Sequence, residues 1–143
     1  MGREYIPKRG QIIVFVNGEP NGPLTCGVNN GMQDQYIIKR VIAFPGERVT
    51  VKNGILTVYN DEHPDGFSPD EDVRKNDVDG PKTKNSGEVN TIVPEGELFV
   101  SGDNREGSHS YDSRNGLGTV PFCRIIGPAA ARIYPFNKIR LFQ

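Results

Sequence analysis

The chain has 143 residues, enough for one domain with its own core and short of two comfortable ones. Its 17 Lys and Arg against 18 Asp and Glu give a formal charge of -1, which excludes the uniform positive field of a nonspecific nucleic-acid binder. With 17 glycines, 11 prolines and 24% charged residues, the composition favours short strands and turns over long helices.

In chain order, four segments up to Tyr59 carry strand character. Gln11 to Val16 is a continuous β-branched and aromatic run that stops at the turn dipeptide Asn17-Gly18, and it reads as a buried strand. Its apolar stretch Ile12 to Val16 is the longest in the chain, far below the roughly 18 residues that cross a bilayer as a helix. Gln35 to Phe44 is a second long run, apolar apart from Lys39-Arg40, and it halts at Pro45-Gly46. Arg48 to Val51 and Ile55 to Tyr59 flank Lys52-Asn53-Gly54, the pattern of a tight hairpin.

From Asn60 to Asn90 the chain turns polar, with Phe67, Val73, Val78 and Val89 its larger apolar residues, and it is expected to run over the surface and bury little. Strand character resumes at Thr91 to Pro94 and Glu97 to Ser101, and returns from Arg124 to Gly127 and from Arg132 to Phe136. No segment holds a helical period for three turns. The expected fold class is mainly β, a barrel or sandwich whose core is residues 1–59 and 91–143, with 60–90 a polar insertion. Cys26 and Cys123 are compatible with one bridge or with two thiols, and they form no metal motif.

Two stretches carry chemistry: Tyr36 to Glu47, centred on Lys39-Arg40, and Ser101-Gly102-Asp103-Asn104-Arg105 followed by Ser110-Tyr111-Asp112-Ser113-Arg114. A lysine with an ordinary pKa near 10.4 is protonated at neutral pH; about three units of depression would make it a general base. Ile37, Ile38, Val41 and Ile42 offer the desolvation that could do this. The plainer reading is a strand lysine that carries its amine out to water. Arg40 falls on the other face by the two-residue period and reads as a structural ion-pair partner, with Asp103 or Asp112 as the acid.

Together these stretches resemble bacterial signal peptidase I, a serine protease that removes signal peptides from exported proteins. Tyr5 to Phe15 is similar to that family's Pro-x-Arg-Gly-Asp turn and following strand, with Gln11 in place of the Asp, and Gly118-Thr119-Val120-Pro121 and Arg132 to Phe136 are similar to its closing segments. The resemblance implies a signal-peptidase-like β fold with a variable insertion at 60–90. It implies Lys39 as general base and Ser110 as the hydroxyl that orients it. Asp103, Asn104, Arg105, Asp112, Arg114 and Arg40 then brace the site, and Gln35, Tyr36, Ile37 and Ile38 hold an extended peptide by strand pairing.

Between Arg105 and Asp112 the chain has six residues where the family has four, so Ser108 competes with Ser110; the spacing to Asp112 favours Ser110. His109 and His63 read as loop residues, since no strand-borne acid is placed to orient the first and the second lies in the polar stretch. The implied activity needs no metal and no cofactor, its partners are signal peptides of preproteins, and nucleic acid is not among them.

The family's nucleophilic serine sits in a Ser-Met-x-Pro box upstream of the Pro-x-Arg-Gly turn. No Ser-Met-x-Pro occurs in this chain, and no serine precedes Lys39. The expectation is therefore a soluble fragment with the base and braces but not the nucleophile, inactive by itself. The longer protein would be anchored in the plasma membrane with its catalytic domain extracytoplasmic. A non-catalytic β module that binds extended peptides is the alternative, and a self-cleaving repressor domain is disfavoured by the Gly-Asp-Asn-Arg box and the lack of a DNA-binding segment.

Overall fold

A computed structural model describes residues 6–17, 35–76, 81, 84–85, 87–103, 105, 112–114 and 117–129. Its strands are β1 (Ile12–Asn17), β2 (Gln35–Ala43), β3 (Arg48–Lys52), β4 (Ile55–Tyr59), β5 (Val89–Ile92), β6 (Glu97–Ser101), β7 (Val120–Pro121) and β8 (Ile125–Pro128), with one helix, α1 (Pro69–Asn76), between β4 and β5. The fold is mainly β, as expected. Every strand pairing is antiparallel: a five-stranded sheet in the order β7-β6-β2-β1-β8 and a three-stranded sheet in the order β4-β3-β5.

The unbroken apolar runs Val41 to Ala43 of β2 and Leu98 to Val100 of β6 have a packing cause. Val41, Leu98 and Val100 join Ile13, Phe15, Leu117 and Val120 in one buried cluster. Ile42, Ala43 and Phe99 join Val49, Val51, Leu56, Val58 and Val93 in a second. The strands therefore bury both faces, which a half-solvated strand with alternating polarity does not. In the three-stranded sheet alternation returns, with Val49, Val51, Leu56 and Val58 inward and Thr50 and Thr57 on the outer face.

The β3–β4 hairpin closes as its sequence indicates. Asn53 and Gly54 both take positive φ, 53° and 84°, and Lys52 faces Ile55 across the two-residue loop. That is the type I′ geometry, whose twist matches the flanking strands.

The turn before β1 and the turn after β2 are joined through Arg9 and Glu47. Both guanidinium nitrogens of Arg9 donate to the Glu47 carboxylate at 2.6 and 2.8 Å, and the same carboxylate accepts from the Phe44 N–H and from Asn60 Nδ2. Arg9 also lies over the rings of Phe44 and Phe67. Burial alone would raise the Glu47 pKa, but the bonds from Arg9, Asn60 and Phe44 and the Arg9 charge together hold it below its ordinary 4.5. Because folding depresses this pKa, the stabilisation is present above pH 4.5 and is lost as the pH falls through the folded value. Glu47→Gln is expected to cost about 1–3 kcal/mol at pH 7, with the difference from the native chain shrinking in acid; urea melts at pH 7 and pH 3 check this.

The segment 60–90 does more than cross the surface. Phe67 bridges to Val58 and packs against the second cluster, while Pro81 and the polar residues Asp70 and Asn85 are buried. Charge and amide groups are buried here because they are partnered: Arg105 donates to both, Arg74 lies 3.9 Å from Asp70, and Asn85 Nδ2 donates to the Gly54 carbonyl. Helix α1 approaches the Lys8–Gly10 turn closely enough that a Cβ on Gly10, already at φ +85°, would stand 3.0 Å from Val73 Cγ2. The expected strand at Arg132 to Phe136 lies outside the described residues.

Candidate functional site

Lys39 lies midway along β2, opposite Ile13 of β1, and shares its face with Ile37 and Val41. That face is the edge of the first apolar cluster, and Lys39 is 3% exposed. Burial lowers its pKa from 10.5 to about 8, against the charges of Asp112 and Asp103, which raise it, and with Arg114, which lowers it. About a tenth of the amine is then neutral at pH 7 and about half at pH 8. Such a group can both accept and return a proton near neutral pH.

Arg40, one residue on, points the other way. Its Nε and Nη2 donate to the two carboxylate oxygens of Asp103 at 2.8 and 2.5 Å, and its Nη1 donates to the Gly10 carbonyl at 2.8 Å. Of the two acids open to it from sequence, Asp103 is the partner, because Arg40 faces Ser101 across β6 and the chain leaves that strand directly into Asp103. The fork geometry fixes both planes.

Asp112 is fully buried and heavily used. Its carboxylate accepts from the Gly102 N–H at 2.9 Å, the Ser101 hydroxyl at 3.1 Å, the Arg114 N–H at 2.9 Å and the Arg114 guanidinium at 3.0 Å. Arg114 Nη1 donates onward to the Arg105 carbonyl at 2.7 Å. Arg105, 0% exposed, donates from its side chain to the Gly102 carbonyl, to both Asp70 oxygens at 2.6 and 3.1 Å, and to Asn85 Oδ1 at 3.2 Å. Arg40, Asp103, Arg105, Asp112 and Arg114 thus form a hydrogen-bonded wall beside Lys39. Ser110, Ser108, His109 and Asn104 lie outside the described residues.

Gln35, Tyr36, Ile37 and Ile38 form the N-terminal half of β2. They pair with β1 on one side, whereas β6 reaches only Arg40, Val41 and Ala43 on the other. Among the described residues no strand pairs with that second side of 35–39. The Val41 N–H donates to the Gln11 carbonyl and its own carbonyl accepts from Gly10, both toward β1. By strand alternation the main-chain groups of Lys39 and Ile37 also face β1, and those of Ile38 and Tyr36 face the open side. Tyr36 is 65% exposed there. A strand edge ending at a buried, weakly basic amine can bind an extended peptide and present one of its carbonyls to that amine's chemistry.

Sequence reasoning missed Asp70, Asn85, Arg9 and Glu47, since pairings across 20 to 38 residues leave no local signal. A shallow cavity of about 810 Å³ on the outer face of the three-stranded sheet, lined by Arg48, Thr50, Tyr59 and Asn90 among others, includes none of the expected site residues. Cys123 is disulfide-bonded; the chain's other cysteine, Cys26, lies outside the described residues.

Comparison with known proteins places these features in a family context. The family described as signal peptidase, peptidase S26, matches residues 4–134. Signal peptidase I of Bacillus licheniformis is 32% identical over 134 residues, covering 93% of this chain and 62% of that protein. Signal peptidase I T of Bacillus subtilis (strain 168) is 33% identical over 136 residues, covering 93% and 60%. A probable signal peptidase I-1 of Synechocystis is 37% identical over 132 residues, covering 92% and 57%. The chain therefore spans about 60% of the length of these relatives. A crystal structure of a signal peptidase I from Enterococcus faecalis V583 superposes with a TM-score of 0.56 at 25% identity, covering 90% of this chain and all of that one.

Proposed function

Since the chain belongs to the signal peptidase family, peptidase S26, we propose that it is the general-base portion of an endopeptidase that cleaves signal peptides from exported preproteins. The observation that carries this reading is the buried Lys39 amine, with its pKa brought to about 8, at the end of an open strand edge. Neutral Lys39 takes the proton of a serine hydroxyl as that oxygen attacks the scissile carbonyl. The resulting ammonium protonates the departing amine, and Lys39 then draws a proton from the water that hydrolyses the acyl-enzyme. In this reading Ser110 orients the amine, Asn104 braces it, and the wall of Arg40, Asp103, Arg105, Asp112 and Arg114 keeps it in place.

The nucleophile comes from a serine outside these 143 residues. Two serines beside the site have their hydroxyls engaged: Ser101 donates to Asp112, and Ser113 donates to the Gly118 carbonyl and accepts from the Val100 N–H. The chain by itself is then inactive. In the same reading the whole protein is held at the plasma membrane with this portion extracytoplasmic, a compartment in which a Cys123 disulfide persists. Among the described residues, no helix is long and apolar enough to cross a membrane.

The substrate peptide adds a strand to the open side of β2, bonding to the main chain of Tyr36 and Ile38, with small residues at alternate positions toward Ile37 and Lys39. Titration of the chain with an Ala-x-Ala peptide, followed by amide NMR, tests this. The Tyr36 and Ile38 amides should shift, and N-methylation of the peptide groups that face β2 should weaken binding at least about tenfold. Binding that is indifferent to N-methylation would contradict the strand-edge mode.

A further inference from the structure

We propose that Asp70 is a positioning residue for Lys39, acting through Arg105 on the loop that carries Asp103. The inference rests on the base reading of Lys39 and extends it to a residue of the polar segment 60–90.

The argument is geometric. Arg105 closes its own loop, because its Nε donates back to the Gly102 carbonyl three residues earlier. The ring so formed, Gly102 to Arg105, holds three groups of the site at once. The Gly102 N–H donates to Asp112, the Asp103 carboxylate receives Arg40, and the Arg105 carbonyl receives Arg114. From outside, the ring is held through the rest of the Arg105 fork: Nη1 and Nη2 to the two Asp70 oxygens, and Nη1 also to Asn85.

Asp70 sits in the first turn of α1 and is 1% exposed, so the pair is shielded from solvent and the fork has one low-energy arrangement. Burying such a pair brings little or no net stability over apolar residues of the same volume, whereas it fixes direction. The charged groups that act on Lys39 are Asp112, Arg114 and Asp103; the first two bond to this ring and Asp103 is part of it. Across from Lys39 on β1 stands the apolar Ile13, and its charged strand neighbour Arg40 is on the other face and bonded to Asp103.

Without Asp70 the Arg105 fork loses its outer anchor, the ring loosens, and water reaches the Lys39 amine. The test follows the lysine side chains of the 13C-lysine-labelled chain by NMR titration, with Lys39 assigned from Lys39→Met. In the native chain Lys39 should titrate near 8. In Asp70→Asn it should titrate at about 9 or higher, because relieving burial removes the largest cause of the depression. Should Asp70→Asn fail to fold, the double variant Asp70→Leu with Arg105→Met, which removes both charges of this buried pair, is expected to fold and to show the same rise.

If a folded variant is less stable but Lys39 still titrates near 8, or lower, Asp70 positions nothing and the proposal is overturned while the base reading stands. If Lys39 of the native chain titrates at its ordinary 10.5, both are overturned.

Discussion

Lys39→Met is expected to abolish signal-peptide cleavage and, at neutral pH, to leave the fold more stable than the native chain. The two effects have one cause. A protein in which a Ser-Met-x-Pro segment precedes this chain should lose at least about a thousandfold in kcat/KM with Lys39→Met, because among the described residues no other group beside the strand edge is placed to take the serine proton. Below pH 8 the native chain keeps an ammonium in an apolar edge that disfavours it. Methionine fills a similar volume without charge.

The depression from 10.5 to about 8 corresponds to a destabilisation on the order of 3 kcal/mol, which the variant escapes. Folding lowers this pKa, so between pH 8 and 10.5 the unfolded chain binds a proton that the folded chain does not, and native stability rises with pH across that window. The advantage of Lys39→Met should therefore be full at pH 7 and vanish by about pH 10.5, as urea denaturation of both chains would show.

The second large effect concerns Asp112. Asp112→Ala removes the acceptor of five donor atoms, on Ser101, Gly102 and Arg114, and strands the Arg114 guanidinium in a buried site. The expected cost is about 3–5 kcal/mol, comparable to the whole stability of a small domain. Asp112→Asn keeps one carboxamide oxygen for those donors and should cost less. It also removes a charge that raises the Lys39 pKa, so Lys39 in Asp112→Asn should titrate below 8, opposite in sign to the Asp70 variants. A fluorescence-independent probe such as far-UV circular dichroism in urea reads the stability, and the lysine titration reads the base.

Much of the framework was legible because its causes are local. A β-branched run announces β1, Asn53-Gly54 announces the hairpin, and the two-residue period separates Lys39 from Arg40. What sequence left open for Arg40 was a choice of two acids, and strand register decides it: β6 delivers Asp103 beside Arg40, while Asp112 is taken by Arg114. The helix α1 escaped notice because eight residues are too few for a period to show. Its ends did carry a signal, Ser68-Pro69-Asp70-Glu71 at the start and Arg74-Lys75 in the last turn.

The role of Asp70 and Asn85 was not legible for a deeper reason. In a stretch rich in Asp, Asn and Glu, composition cannot tell Asp70 and Asn85, which are buried, from neighbours that are solvated; the arrival of Arg105 distinguishes them. Arg9 and Glu47 are the same case, a turn residue before β1 and a turn residue after β2 that meet because those strands pair.

The most direct test of the account is the pH dependence of kcat/KM for cleavage of a signal-peptide substrate by a protein that joins a Ser-Met-x-Pro segment to this chain. The acid limb should follow one group with an apparent pKa of about 8 and should disappear with the activity in Lys39→Met. Cleavage that persists in Lys39→Met, or a rate unchanged between pH 6 and pH 9, would contradict Lys39 as the base.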